Sequence, residues 1–268
     1  MKGILFPLVL GLLVVDFVSA GLDEDLVVYF TFDSVEGKKI LDASSNDLHA
    51  DVIANTDFVK GRYGDAIHIA RDAQRTDCIN VSSDSILKIE SKITMMAWVY
   101  HEDWNEASGQ WFDKGSHVQP FGYGMGVFKD IEGFGFKGFE KQIGLFLGGE
   151  GTWKFFTDNP IADKGWHHIA GTYDGEFAKI YLDGELISED ESIFKLVTAN
   201  DMDMRIGCVK DRPQFNFRNG SIDEVGVWRR ALSQAEIKEA MKDFLAVSSK
   251  DKVATTWGDI KHRAITDE

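Results

Sequence analysis

Two adjacent acidic residues, Asp223 and Glu224, lie within the otherwise apolar, strand-like stretch GSIDEVGVW at residues 220–228. In a regular strand alternate residues share a face, which would place Asp223 beside Val225 and Val227. Glu224 would then lie among hydrophobic residues of the opposite face. An unpartnered carboxylate in such surroundings would be strongly destabilising or would take up a proton. We therefore expect at least one of the two acids to have a bound partner.

Other residues that could bind a metal or a phosphate are better explained by structural roles. His167 and His168 are adjacent, and strand neighbours point to opposite faces, so the pair cannot chelate one ion. The glycine-rich run at residues 133–151 lacks the GKS or GKT ending of a phosphate loop and predicts β-hairpins. The chain contains neither G-x-S-x-G nor H-E-x-x-H. The sequence therefore gives no motif-based indication of a serine hydrolase or a zinc-dependent hydrolase.

Six of the seven tryptophans divide into two groups by their surroundings. Three lie near polar or glycine-rich loops, where they could stack on sugar rings or pack into the core: Trp104, Trp111 and Trp153. Three others lie in strand patterns that predict core positions: Trp98, Trp166 and Trp228. Core packing is the expected role for most of them.

The charge balance limits the partners. The chain has 268 residues with 44 acidic and 29 basic side chains, a formal net charge of −15. Such a field repels phosphate backbones and anionic lipid surfaces, so we expect no nucleic-acid partner. The same carboxylates attract divalent cations, although a solvated acidic surface is the commoner reason for this balance.

The first twenty residues predict a signal peptide. Lys2 precedes an apolar run at residues 4–15, and Val18-Ser19-Ala20 has the small-x-small pattern of a cleavage site. No later segment is apolar enough to span a bilayer. We expect a mature chain beginning at Gly21 that is secreted, periplasmic or displayed on the cell surface, without membrane insertion.

Two cysteines, Cys78 and Cys208, are the only ones in the chain. An oxidising compartment would allow them to form a disulfide if their Cα atoms lie within about 7 Å. Two separate thiols remain the alternative.

The elements that must position these residues are short strands separated by turns. Strand-like runs occur at residues 26–32, 65–70, 93–100, 122–128, 142–148 and 166–173. Two Asp-Gly pairs, at residues 174–175 and 183–184, bracket a further strand and predict a meander with tight primed turns. One helix is predicted in SQAEIKEAMKDF, where Ser233 and Glu236 form a capping box. The pattern predicts an all-β fold, a two-sheet antiparallel β-sandwich of jelly-roll type with one short C-terminal helix.

Several motifs in order resemble a known family. LVVYFTFDS, DASSNDLHADV, GRYGDAIHI, ITMMAWVY, WHHIAGTYDGEFAKIYLDGELI and GSIDEVGVWRRALSQAEI are similar to the laminin G-like domain of the concanavalin A-like lectin/glucanase superfamily. The resemblance covers residues 26 to about 244. We therefore divide the chain into a signal peptide (1–20), a laminin G-like sandwich (21–247) and a tail (248–268).

The resemblance implies a structural calcium ion. Its ligands would be the acid after the first strand, the asparagine of the following turn and the aspartate of the IDEV strand, here Asp33, Asn46 and Asp223. Carboxylates, amides and backbone carbonyls supply the oxygen ligands that calcium prefers. The alternative is that Asp223 accepts backbone N–H bonds or pairs with Arg62 or Arg229.

Three functions are compatible with this reading. The first and favoured one is a secreted, non-catalytic binding module for a glycan or an extracellular protein. Its ligand contacts are expected in the loops around residues 101–120, 129–141, 149–162 and 209–218. The second is a glycoside hydrolase or lyase, but the E-x-D-x-E signature of the related glucanases is absent from the sequence. The third is a structural or adhesive envelope protein.

Overall fold

The computed structural model describes residues 21–54, 56–70, 78–104, 107–116, 121–128, 142–148, 152–157, 161, 164–191, 200–210 and 212–242. The predicted signal peptide and the predicted tail lie outside these residues. Within the described ranges, no helix is long and apolar enough to cross a membrane.

Strands account for most of the regular structure in this part of the chain. The strands are β1 (Leu26–Phe30), β2 (Val35–Glu36), β3 (Lys39–Ile40), β4 (Ala50–Ile53), β5 (Asp57–Lys60), β6 (Asp65–Ile69), β7 (Cys78–Val81), β8 (Ile93–His101), β9 (Gly109–Lys114), β10 (Tyr123–Phe128), β11 (Gln142–Gly148), β12 (Thr152–Phe156), β13 (Gly165–Tyr173), β14 (Phe177–Leu182), β15 (Glu185–Glu191), β16 (Met204–Ile206) and β17 (Gly220–Trp228). The helical elements are the 3-10 turns η1 (Ser85–Leu87) and η2 (Pro213–Phe215) and the helix α1 (Gln234–Ala240).

The strands form two antiparallel sheets. Sheet 1 has the order β15-β14-β13-β8-β17-β6-β5, with β1 also paired to β17. Sheet 2 has the order β12-β11-β10-β9-β16-β7-β4-β3-β2. The first strand therefore lies beside the last one, and the predicted two-sheet antiparallel sandwich is confirmed.

The main core lies between the sheets and follows from strand alternation. On β8, Ile93, Met95, Ala97 and Val99 belong to this core, whereas Trp98 does not. Similar alternating sets come from β6, β7, β10 and β11. Because these strands turn every second side chain inward, both sheets contribute to one apolar layer.

A second apolar cluster covers the outer face of sheet 1. Its buried members are Leu22, Leu26, Tyr29, Met96, Ala170, Tyr181, Trp228, Leu232, Ile237 and Ala240. Helix α1 contributes Ile237 and Ala240, and its capping box at Ser233 and Glu236 is present as predicted. Sheet 1 is therefore buried on both faces over part of its area, which explains why its strands carry apolar residues on both faces.

The strand carrying the two acids does not alternate regularly. Pairing between β17 and β8 shifts register between Asp223 and Gly226, and Glu224 adopts φ 51°. This β-bulge adds one residue, so Val225 points into the main core together with Ile222. The expectation that Asp223 shares a face with Val225 and Val227 is therefore wrong. Asp223 instead pairs in register with Trp98 and lies outside the main core.

The two Asp-Gly turns differ from each other. Asp183 and Gly184 have φ of 51° and 79°, as a primed turn requires. Asp174 is not in a left-handed conformation, and its Oδ1 accepts the Glu176 and Phe177 N–H groups at 2.9 and 2.8 Å. The prediction of primed turns is therefore correct for the second pair and wrong for the first, where side-chain hydrogen bonds shape the turn.

Candidate functional site

Asp223 has backbone partners. The side chain has no solvent exposure, its Oδ2 accepts Tyr63 N–H at 3.0 Å, and its Oδ1 accepts Glu224 N–H at 2.9 Å. Burial raises the pKa of Asp223 to about 7, and the negative charge of Asp33 adds to the rise. The guanidinium of Arg62 stacks over Trp98, 4.5 Å from the ring centroid. Of the alternatives considered above, the structure thus contains the backbone hydrogen bonds.

Asp33 lies on the other side of the same turn. Its Oδ1 accepts the Asp65 N–H at 2.6 Å. Gly64 has φ 47°, and a Cβ built on it would lie 1.8 Å from Asp33 Oδ1. Likewise, a Cβ on Gly61 would lie 2.5 Å from Asp223 Oδ2. Residues 61–65 are therefore held between the two carboxylates, and glycine is needed where the backbone approaches them.

Asn46 is placed elsewhere. Its Nδ2 donates to the carbonyl oxygens of Leu26 and Val27 at 2.8 and 3.0 Å, at the beginning of β1. Asp33 follows the other end of β1, which is roughly 15 Å away for a five-residue strand. The structure thus brings Asp33 and Asp223 to one turn, but not Asn46.

Asp42, which the sequence analysis missed, organises the turn that contains Asn46. Its Oδ1 accepts the N–H groups of Tyr29 and Ser44, both at 2.9 Å. Its Oδ2 accepts Ser44 Oγ–H at 2.7 Å and Leu48 N–H at 3.0 Å. A buried carboxylate with this many donors fixes the loop to the first strand. The aspartate that opens DASSND is the available sequence signal, since such residues commonly bond to backbone a few positions on.

The residues present fit a calcium ion only in part. Asp33 and Asp223 offer two carboxylates, against the roughly six to eight oxygen ligands that calcium takes. No group of three or more His, Cys, Asp or Glu side chains is arranged to hold a metal among the residues that the structure describes. Further ligands would have to come from backbone carbonyls or water.

A cleft of about 580 Å³ opens at one rim of the sandwich. Seven described residues line it: His101, Ser108, Pro213, Gln214, Asn216, Arg218 and Asn219. They come from the end of β8, the residue before β9, and the segment that leads through η2 to β17. The cleft thus draws on two of the four loop regions expected to carry a ligand site, around residues 101–120 and 209–218.

The segment containing η2 is fastened to the sandwich by Asn216. Asn216 Oδ1 accepts Val209 N–H at 2.9 Å, and Asn216 also forms a parallel bridge with Gln110 of β9. Gly109 has φ 120°, and a Cβ on it would lie 2.4 Å from the Asn216 backbone. This close approach sets the floor of the cleft.

Polar contacts at the rim orient the remaining lining residues. Arg218 Nη2 donates to the Pro213 carbonyl at 3.2 Å. Asn219 adopts φ 57°, and its Nδ2 donates to Glu102 Oε2 at 3.2 Å. Among the described lining residues the cleft has hydroxyl, amide, imidazole and guanidinium groups and no carboxylate.

The positions of the tryptophan side chains that the structure describes agree with the expected core packing except at Trp166. Trp104 and Trp111 lie in the main core, which confirms packing over sugar stacking for both. The side chain of Trp153 lies outside the described part of the structure. Trp166, predicted as a core residue, is partly exposed and contacts Tyr100, with ring centroids 5.7 Å apart. The core prediction for Trp166 is wrong because its strand position turns it to the outer face of sheet 1.

The adjacent histidines have separate structural surroundings, as expected. His167 Nδ1 lies 2.9 Å from Asp183 Oδ2 and contacts Trp104. His168 packs against Trp98, with ring centroids 5.4 Å apart. Burial lowers the pKa of His168 to about 4. Both ring nitrogens of His168 are buried without a hydrogen-bond partner in the described structure.

Cys78 and Cys208 form a disulfide, with their Cα atoms 5.7 Å apart. Cys78 begins β7, and Cys208 follows its sheet neighbour β16. Of the two possibilities left open by the sequence, a disulfide and two separate thiols, the disulfide is confirmed.

The two antiparallel sheets and their topology define a β-sandwich of jelly-roll type. The chain belongs to the concanavalin A-like lectin/glucanases superfamily, because the model of a laminin G family in that superfamily matches residues 73–238, more than half of its 268 residues. No protein with curated annotation matches it by sequence.

Solved structures share the fold at low identity. The binding domain of Paraclostridial Mosquitocidal Protein 1 is similar with 19% identity and a TM-score of 0.59, over 81% of this chain and 52% of that one. Domain 4 of AbnA, a GH43 extracellular arabinanase from Geobacillus stearothermophilus solved with arabinotriose, gives 15% identity and a TM-score of 0.59, over 81% and 98%. The binding domain of botulinum neurotoxin DC, solved with rat synaptotagmin II, gives 11% identity and a TM-score of 0.63, over 84% and 52%. The chain thus spans about half the length of the two toxin domains.

Proposed function

We propose that this protein is an extracellular, non-catalytic module that binds carbohydrate in the rim cleft. The observation that carries the proposal is the cleft lining, in which Ser108, Gln214 and Asn219 offer neutral hydroxyl and amide groups at a sandwich rim. Such groups both donate and accept hydrogen bonds, as sugar hydroxyls require. The volume of about 580 Å³ falls within the range of small-molecule sites.

The fold relatives support the same class of function. The arabinanase domain is a separate domain of a glycosidase that was solved with an oligosaccharide. The binding domain of botulinum neurotoxin DC was also solved with SialylT, in a structure that is 9% identical to this chain with a TM-score of 0.62. A protein ligand is the second candidate, because the same type of domain was solved with synaptotagmin II.

Catalysis is not part of the proposal. A glycoside hydrolase needs two carboxylates about 5 to 9.5 Å apart across its cleft. Among the described lining residues none is acidic, and Glu102 at the edge accepts a hydrogen bond from Asn219. Within the part of the chain that the structure describes, the lining offers groups that hydrogen-bond to a sugar but no acid–base pair that could cleave it.

Export and calcium belong to the proposal as well. The disulfide is of the kind that persists in oxidising compartments, which supports a secreted, periplasmic or surface location. N-terminal sequencing of exported protein should begin at Gly21, and retention of residues 1–20 would contradict this. A calcium ion near Asp33 and Asp223 would neutralise two carboxylates placed around one turn.

A glycan array probed with the full chain, in calcium and in EDTA, tests the function. Gln214→Ala should weaken binding to any positive glycan by about tenfold, the loss expected for a hydrogen-bonding side chain that contacts the ligand. Glu36→Ala, an exposed change in β2, should leave binding unchanged. An array without positives, equal binding by Gln214→Ala, or release of reducing sugar would each contradict the proposal.

A further inference from the structure

Arg218 is the cation of the cleft. Among the seven described lining residues it carries the only side chain with a fixed charge. Its Nη2 donates to the Pro213 carbonyl at 3.2 Å, and no described carboxylate forms an ion pair with it. Arg230 is different, since its Nη1 lies 2.6 Å from Glu236 Oε1. The guanidinium of Arg218 therefore keeps N–H groups for a ligand, enough for a bidentate pair.

His101 is neutral and fixes the Arg218 backbone. Its Nε2 lies 2.9 Å from the Arg218 carbonyl, which can only accept, so Nε2 carries the proton. Its Nδ1 accepts the Asp103 N–H at 3.0 Å and therefore carries none. Burial also lowers the pKa of His101. The imidazole thus anchors the arginine without adding a second charge to the cleft.

A carboxylate at the rim of the cleft, that of Glu102, contacts a lining side chain. Glu102 Oε2 accepts from Asn219 Nδ2 at 3.2 Å. That contact holds Asn219 at the rim and does not involve Arg218. Arg218 is thus exposed at the cleft without an ion-pair partner among the described residues, in a chain whose formal net charge is −15. The fixed charge among the seven described lining residues is thus positive, whereas the formal net charge of the chain is negative.

We propose that the cleft selects a sugar residue that bears a carboxylate, which pairs with the guanidinium of Arg218. This inference rests on the proposed function and specifies its ligand class. Arginine matches the planar carboxylate with two parallel, charge-assisted N–H bonds, whereas a neutral hydroxyl offers a single, uncharged oxygen atom. Gln214, Ser108 and Asn219 then bind hydroxyl groups of the same residue.

Matched pairs of oligosaccharides test the charge requirement. Titration calorimetry with the full chain would compare trigalacturonate with its methyl ester, and 3′-sialyllactose with lactose. The first pair probes uronic acids and the second probes sialic acids. At least one acidic sugar should bind about tenfold or more tightly than its neutral partner. Arg218→Gln should remove that difference, whereas Arg229→Gln, an exposed arginine just beyond the other end of β17, should keep it.

The outcomes separate this inference from the proposed function. If acidic and neutral sugars bind equally and Gln214→Ala weakens both, the cleft binds carbohydrate but the acidic ligand class is wrong. If an acidic sugar is preferred but Arg218→Gln keeps the preference at an unchanged melting temperature, the role of Arg218 is wrong. If no sugar of either kind binds here or on the array, both proposals fail.

Discussion

Replacement of His168 by phenylalanine should remove part of the sensitivity of the fold to acid. His168 is buried and packs edge-on against Trp98, and neither of its buried ring nitrogens has a hydrogen-bond partner among the described residues. Phenylalanine keeps a ring of similar size in this position and leaves no polar atom unsatisfied. At neutral pH we therefore expect the unfolding free energy of His168→Phe to exceed that of the wild type by about 1 kcal/mol or more.

The pH dependence follows from the direction of the shift. Burial lowers the pKa of His168 from 6.5 to about 4, so the unfolded chain binds a proton more readily than the native one. The corresponding stability is fully present above pH 6.5 and is lost as the pH falls through about 4. A shift of this size, at about 1.4 kcal/mol per pH unit, corresponds to about 3 kcal/mol. The variant should lack that loss.

Urea unfolding of both proteins at several pH values between about 4 and 8 measures the effect. The informative quantity is the difference in unfolding free energy between variant and wild type, which cancels the titration of other groups. It should grow by about 3 kcal/mol in favour of the variant as the pH falls. His68→Phe serves as the control, because His68 is only partly buried and lies on the same sheet. A difference that stays constant with pH would refute the reasoning, and so would an equal change in the control.

Two further predictions concern the cross-link and the cation. The Cys78→Ala, Cys208→Ala double variant should lose about 4 to 5 kcal/mol of unfolding free energy in the chain-entropy model, because the bridge spans a sequence separation of 130; equal urea midpoints for the oxidised wild type and the variant would contradict this. Calcium, added at a hundred times its dissociation constant to wild-type protein from which EDTA has removed metal, should stabilise the fold by about 2.7 kcal/mol and raise its melting temperature. Asp33→Ala and Asp223→Ala should each abolish that rise, and Asn46→Ala should keep it; a melting temperature that is the same in calcium and EDTA would exclude the ion.

Local signals in the sequence were sufficient for much of the fold. The capping box at Ser233 and Glu236 involves residues three positions apart, and β-branched runs such as ITMMAWVY match strands closely. The regular alternation expected around Asp223 failed for a different reason. The bulge there depends on pairing with β8, which is more than a hundred residues away in sequence. A long-range pairing of this kind leaves no local pattern to read.

The candidate site was harder to predict from the sequence for the same reason. The cleft combines His101 and Ser108 with residues 213–219, and no motif links these segments. Whether Arg218 forms an ion pair depends on where its neighbours lie in three dimensions, not on its flanking residues. Trp166 also shows the limit, because a strand that is buried on both faces in one region can expose a side chain in another.

The disulfide has a consequence for the energetics of recognition. Cys208 immediately precedes Val209, whose N–H is held by Asn216 Oδ1, and the segment then enters β17 at Gly220. The part of the chain that forms one wall of the cleft is thus tethered covalently at one end and by a strand at the other. A wall ordered in advance spares the entropy that a loose loop would lose on association. Affinity should therefore depend on redox state, with an untreated protein binding its sugar more tightly than one titrated in the presence of a thiol reductant.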